Sequence, residues 1–372
     1  MPDTPLQQPH SRIASLDGLR GIAILLVFCW HFLPHTIFFP GWAGVDLFFV
    51  LSGYLITGRL LATKGKPHYL SHFYRNRALR IFPAYYALVI AFLLLVYFFV
   101  SAKNLPFFEG YLIHWKSFFL FTQNWTFIRY PIPRDLSLLP LWSIAVEIQF
   151  YLIWPFVILL TPSPKIRLIV FQTLLAIVII TRIVYALRFP DSRDSNYFNT
   201  FFRMDGFIMG SLLCQLHERL HEKLPEKQKN LANKDKYLIP ALAALAMILL
   251  TVPIAIHNAG PANAFFASFG LTLLALFFTL LLHLALQPGN HLPLLKNKFL
   301  GICGRISFCL YLIHFPLLSA LAPRFDALGS RVWPGHPDAY YCVTVLTTLL
   351  LAFTISIFSY RYFESYFLRL KR

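Results

Sequence analysis

The chain has 372 residues, of which 57% are hydrophobic, 17% aromatic and only 13% charged, with 33 Lys and Arg against 16 Asp and Glu. That much apolar surface excludes an ordinary soluble domain, and apolar runs of about 20 residues recur at the hydrocarbon thickness of a bilayer. The net charge of +17 would suit nucleic acid only on a folded domain with a contiguous basic face; none is read, so no nucleic-acid partner is expected.

In chain order, the hydropathy pattern predicts an all-α integral membrane protein, a bundle of about ten transmembrane helices. They are read over 18–38, 42–62, 79–101, 141–161, 166–187, 201–217, 237–256, 264–286, 299–321 and 340–360. The shorter apolar stretch 111–122 reads as a re-entrant or interfacial segment, and eleven spans is the competing count. Most basic residues fall in 59–80, 165–167, 218–236, 296–305, the N-terminus and the tail after 361. Basic residues concentrate on the cytoplasmic side, so both termini are expected there, in the cytoplasmic (inner) membrane. Residues 1–17 then form a cytoplasmic tail, 18–362 the membrane domain and 363–372 a basic cytoplasmic tail. No cleaved signal peptide is read in the polar N-terminus. The five cysteines (Cys29, Cys214, Cys303, Cys309 and Cys342) show no metal-ligand spacing, so neither a disulfide framework nor a metal is expected.

The polar residues inside these runs carry the functional reading. Arg20 and His31 lie eleven residues apart on the first span. At 100° per residue they share a helical face, about 16 Å apart along the axis. An ionisable side chain in lipid costs about 2.5–3.5 kcal/mol on insertion scales and usually faces an aqueous or protein-lined path. Counting inward from the span ends, His31, Asp46 and Glu147 fall in the outer half, each about 6–10 Å below the surface. Arg203 and Asp205 lie near the outer end of the sixth span, and Ser307, Tyr311 and His314 form an i, i+4, i+7 stripe on the ninth. Asp46 beside His31 would orient the imidazole as a general base. The structural alternative is an ion pair of Asp46 or Glu147 with Arg203 that staples helices. Trp42, Trp115, Trp125 and Trp142 suit either sugar stacking or interfacial anchoring. On the cytoplasmic side Arg75, Arg77 and Arg80 crowd the start of the third span. Guanidinium forks suit a polyphosphate, although such arginines also bind anionic headgroups and set topology.

These residues lie in motifs that resemble acyltransferase family three of the membrane O-acyltransferases, over nearly the whole chain. The motifs are Ser-Leu-Asp-Gly-Leu-Arg-Gly at 15–21 with ten residues between its Arg and His31, and Gly-Val-Asp-Leu-Phe-Phe-Val-Leu-Ser-Gly-Tyr at 44–54. They continue with Arg-x-x-Arg at 77–80, Leu-Trp-Ser-Ile-Ala-Val-Glu at 141–147, Phe-Arg-Met-Asp-Gly at 202–206 and Gly-Arg-Ile-Ser-Phe-Cys-Leu-Tyr-Leu-Ile-His at 304–314. One departure is Ser365, where the family often has Pro; Glu364 before it is retained, and the site is expected elsewhere.

The resemblance implies ten membrane helices, with Arg20 and His31 essential. It also implies transfer of an acyl group, usually acetyl from acetyl-CoA, to a hydroxyl of an extracytoplasmic carbohydrate or glycolipid. Some members carry a further span and an esterase-like domain; without them this chain is expected to complete transfer alone or with a partner. In the resulting scheme Arg77, Arg80 and Arg20 or Arg75 hold the coenzyme A phosphates. His31, oriented by Asp46, removes the acceptor proton or carries the acyl group transiently. Ser307 or Tyr311 stabilises the oxyanion, and Glu147 positions the sugar. A proton-coupled transporter or exporter also buries such charges, but would more often show inverted internal repeats. A non-enzymatic scaffold would leave the arginine cluster unused.

Overall fold

The computed structural model describes residues 13–33, 41–103, 109–130, 137–222, 238–255, 263–287, 292–333 and 335–371. Among them the secondary structure is helical, without strands. The helices are α1 (Ala14–Phe32), α2 (Gly44–Thr63), α3 (Tyr69–Lys103), α4 (Glu109–Ile113), α5 (Trp115–Phe119), α6 (Gln123–Arg129), α7 (Trp142–Leu160) and α8 (Pro164–Arg188). They continue with α9 (Arg193–Phe198), α10 (Met204–Glu222), α11 (Leu238–Ala255), α12 (Leu271–Leu286), α13 (Lys298–Val332), α14 (Pro337–Phe358) and α15 (Ser365–Arg369).

Eight helical stretches among the described residues are long and apolar enough to cross a membrane, which makes this a multi-pass membrane protein. The two other expected spans, 201–217 and 237–256, are the helices α10 and α11 but are not among the eight. α10 carries Asp205, His217, Glu218 and Arg219, which dilute its apolar content. The described part of α11 has 18 residues, near the short end of what can cross. The stretch 111–122 breaks into short helices, none long enough to span. Much of the turn expected between the first two spans, 34–40, lies outside the described residues.

The chain divides into two compact units, one of Met1–Tyr69 and Val146–Gly304 and the other of Leu70–Ala145 and Arg305–Arg372. In the first, α2 and α10 pack backbone to backbone. A Cβ on Gly53 would lie 2.0 Å from the Phe207 carbonyl oxygen, and one on Gly210 would lie 2.1 Å from that of Val50. Small residues let helices approach when lipid offers no hydrophobic drive between them, and polar side chains then bridge the seam. Here Trp154 Nε1 donates to Thr57 at 2.7 Å, Thr57 donates to Ser211 at 2.7 Å, and Ser211 reaches the Phe207 carbonyl at 2.8 Å. The apolar core of this unit includes Leu19, Ala23, Leu47, Val50, Leu271 and Phe278. On α8 the outward face shows Ile169, Ile177, Ile180 and Val184 exposed, the expected surface for acyl chains rather than water.

In the second unit the short helices hang from aromatics of α3. Tyr85 and Tyr86 donate to the carbonyls of Phe118 and Phe119, each at 2.9 Å. Phe121, at φ +53°, is held in the left-handed region with its ring against Phe82 and Tyr85. Gln123 ties Tyr85 to the Leu141 carbonyl just before α7.

Candidate active site

His31 lies in the last turn of α1. Its Nδ1 is 2.9 Å from the Val27 carbonyl oxygen. A carbonyl only accepts, so Nδ1 is protonated. The ring is thus held at Nδ1 by its own helix. Arg20, three turns earlier, has Asp17 at 3.7 Å.

Asp46 does not take the place expected for it beside His31. Its Oδ1 accepts from Arg203 Nη2 at 2.7 Å with both side chains buried, and its Oδ2 meets no hydrogen-bond donor. Arg203 also lies over the rings of Tyr197 and Phe49. The staple is therefore the reading that the contacts favour for Asp46. Each buried charge then has the counter-charge without which it would be strongly destabilising. Glu147 is not paired with Arg203. Its Oε1 accepts from Ser52 at 2.5 Å and from Tyr151, one helical turn on. Both of these partners are neutral hydroxyls rather than a cation.

In the second unit Ser307, Tyr311 and His314 are all buried, so the expected stripe faces the interior. The Tyr311 hydroxyl donates to the Pro140 carbonyl at 2.8 Å and accepts from Ser143 at 2.6 Å. These bonds tie Tyr311 to the segment that opens α7. His314 donates from Nδ1 to the Tyr311 carbonyl at 2.8 Å. Of the tryptophans, Trp42 and Trp142 are buried, and Trp42 meets Phe266 edge-on at 4.7 Å, so neither lies open for sugar stacking or at a lipid interface.

The basic cluster at the start of α3 also lies in the second unit. Arg75 donates to the Leu370 carbonyl at 3.3 Å. Burial and the guanidinium groups of Arg80 and Arg77 push the Lys371 amine down to about 7. Glu364 is close enough to Arg80 to interact with it electrostatically. The segment after 362, expected to lie apart from the site, is thus folded against its arginines.

Some residues escaped sequence reasoning. Arg182 is fully buried on α8, donating to Asp205 at 2.7 Å, to the carbonyls of Phe202 and Ser268 at 2.7 Å, and to Thr272. A lone Arg in an apolar run was the same signal that marked Arg20. His217 and His283 bond at 2.8 Å, with Tyr54 on the far side of His217. No spacing announces that pair, because the two histidines sit 66 residues apart on different helices.

Helices fit to cross a bilayer, with arginine, histidine and carboxylate side chains inside them, define a membrane protein built around polar chemistry in its interior. The family described as an acyltransferase domain matches residues 13–357, and the chain belongs to it, acyltransferase family three. Peptidoglycan O-acetyltransferase OatA of Listeria monocytogenes is 30% identical over 342 residues, covering 86% of this chain and 52% of that protein. O-acetyltransferase OatA of Staphylococcus aureus is 27% identical over 369 residues, covering 95% of this chain and 57% of that protein. The chain therefore spans about half the length of the curated relatives it matches. No solved structure matches it.

Proposed function

We propose that this chain is a membrane O-acetyltransferase that moves an acetyl group from cytoplasmic acetyl-CoA to a hydroxyl of an extracytoplasmic glycan. The relatives named as acting on peptidoglycan make a cell-wall glycan the first acceptor to test; a surface polysaccharide or lipopolysaccharide is the wider class. The protein sits in the cytoplasmic membrane with ten spans, α10 and α11 included, and both termini inside.

The observation that carries this reading is the His31 ring, held from Nδ1 by the Val27 carbonyl, on the helix that also bears Arg20. In the direct route His31 Nε2 removes the acceptor hydroxyl proton as the oxygen attacks the thioester carbon. The C–S bond then breaks, and the proton passes to the departing thiolate. In the two-step route Nε2 takes the acyl group first. Glu147 supports either route by binding an acceptor hydroxyl through its carboxylate. Ser307 or Tyr311 supplies the hydroxyl to the oxyanion, and Arg77 and Arg80, with Arg20 or Arg75, bind the donor's phosphates.

The test follows label from acetyl-labelled acetyl-CoA into glycan in inside-out membrane vesicles at matched expression. Label in the glycan with the unmodified chain, lost in His31→Gln, is the expected result. Equal transfer by His31→Gln removes both routes.

A further inference from the structure

Two histidines meet where α10 packs on α12. Nε2 of His217 lies 2.8 Å from Nδ1 of His283. The Tyr54 hydroxyl of α2 is 3.1 Å from the other nitrogen of His217. The side-chain amide of Gln287, the residue that caps α12, is 2.9 Å from the other nitrogen of His283. One hydrogen-bonded chain thus crosses from α2 through α10 to the end of α12, and all four side chains are half-buried. No step of the transfer proposed above uses it.

We propose that the His217–His283 contact is an acid-operated clasp between α10 and α12, closed while one proton lies between the two rings and opened when both rings are fully protonated. The physical argument counts protons on the N···N axis. Two ring nitrogens 2.8 Å apart bond only with one proton between them. With none, two lone pairs face each other; with two, N–H faces N–H. The outer partners impose no such limit, since a tyrosine hydroxyl donates or accepts and a glutamine offers either its NH2 or its oxygen. The pair therefore carries one positive charge without moving a helix. A second sets two imidazolium rings against each other and parts them. The groups around the pair are Tyr54 from α2, and Cys214 and Glu218 from α10, both near enough to Tyr54 to act on it electrostatically. Arg167 of α8 lies 3.6 Å from Glu218, so that carboxylate is already shared with a cation. α1, which also packs on α12, carries Asp17 and Arg20 as a pair at 3.7 Å. α11 has no titratable side chain over Leu238–Ala255. The consequence reaches α1. After α12 comes the turn Pro293–Lys296, against which α1 packs so closely that a Cβ on Gly18 would lie 2.0 Å from the Leu295 carbonyl oxygen. Opening the clasp releases the end of α12 that leads to this support of the Arg20 helix.

The experiment melts the full chain in nanodiscs in steps from pH 8 to pH 5, beside His217→Gln and His283→Gln. Glutamine keeps a hydrogen-bonding group at the contact and leaves one ring to titrate. The unfolded chain lets both rings take a second proton and the closed clasp does not, so stability falls as pH drops through the imidazole range. The unmodified chain should lose about 3–5 °C more of its melting temperature than either variant. Hydrogen exchange, corrected for its intrinsic pH dependence, gives a second readout that needs no unfolding. Backbone amides of 282–287 should exchange about tenfold faster at pH 5 than at pH 8 in the unmodified chain, and at one rate in the variants. If one variant fails to fold, the other and the exchange of the unmodified chain decide. An equal loss of melting temperature in all three proteins overturns the proposal, as does an unmodified chain whose exchange at 282–287 is the same at both pH values. A variant that melts lower at every pH by the same amount makes the contact packing only.

Discussion

Asp46 and Arg203 meet at 2.7 Å with both side chains buried, one from the first turn of α2 and the other from the turn that opens α10. Removing one partner leaves an uncompensated charge inside the bundle, at about 3–5 kcal/mol. Asp46→Asn and Arg203→Met are each expected to lower the melting temperature of the purified protein and its yield. The double substitution should recover most of the loss, because no lone charge remains. A double variant no better than the worse single one would show that the pair does not act as a unit.

Glu147 leads to a different expectation, since hydroxyls hold it and no cation is needed. Glu147→Gln keeps the shape and can still bond both hydroxyls, so the melting temperature should change little. Transfer to the glycan should fall by a factor of about 100 if the charge binds the acceptor, the scale of a lost charged contact. Ser52→Ala and Tyr151→Phe should each cost about tenfold or less, through looser positioning. A Glu147→Gln variant that loses stability but transfers normally per folded molecule would make the carboxylate structural.

The α2–α10 seam is tested at its glycines. Gly53→Ala puts a Cβ against the Phe207 carbonyl, and Gly210→Ala puts one against that of Val50, both far inside contact distance. The helices must separate and the Thr57–Ser211 bond must stretch. Each substitution should destabilise by about 1–3 kcal/mol, read as a lower melting temperature, as overpacking does. Unchanged melting would mean that the helices are not in backbone contact.

Lys371 also shapes stability against pH. Its amine is pushed down to about 7 in the folded chain, against about 10.4 when unfolded. Between those values the folded state binds fewer protons than the unfolded one, so stability rises with pH across the window. Below about 7 the penalty is complete. Comparing melting temperatures of the unmodified chain and Lys371→Gln from pH 6 to 9, without phosphate, should show this rise only when Lys371 is present.

Much of the fold was legible because apolar run length is a local property. α1, α2, α7, α8 and α12 lie where hydropathy placed them, within a few residues at most ends. α10 was harder, since Asp205, His217, Glu218 and Arg219 make it polar, and only its packing against α2 and α8 explains how it is accommodated. Among the site residues, the depth of Ser307, Tyr311 and His314 was readable from helical spacing, and all three are buried. Their partners were not readable, because azimuth around one helix says nothing about which neighbour it faces.

The sequence by itself determined that the chain is a helical membrane protein of acyltransferase family three, and which ionisable residues lie inside its helices. Length, hydropathy and ordered motifs are one-dimensional quantities, and they suffice for that. Only the tertiary structure decided which charges meet. It gave Asp46 to Arg203 rather than His31, Glu147 to Ser52 and Tyr151, and Lys371 to the arginines of α3. Pairing depends on how helices rotate and approach, and that is set by packing among residues as far apart as Gly53 and Phe207.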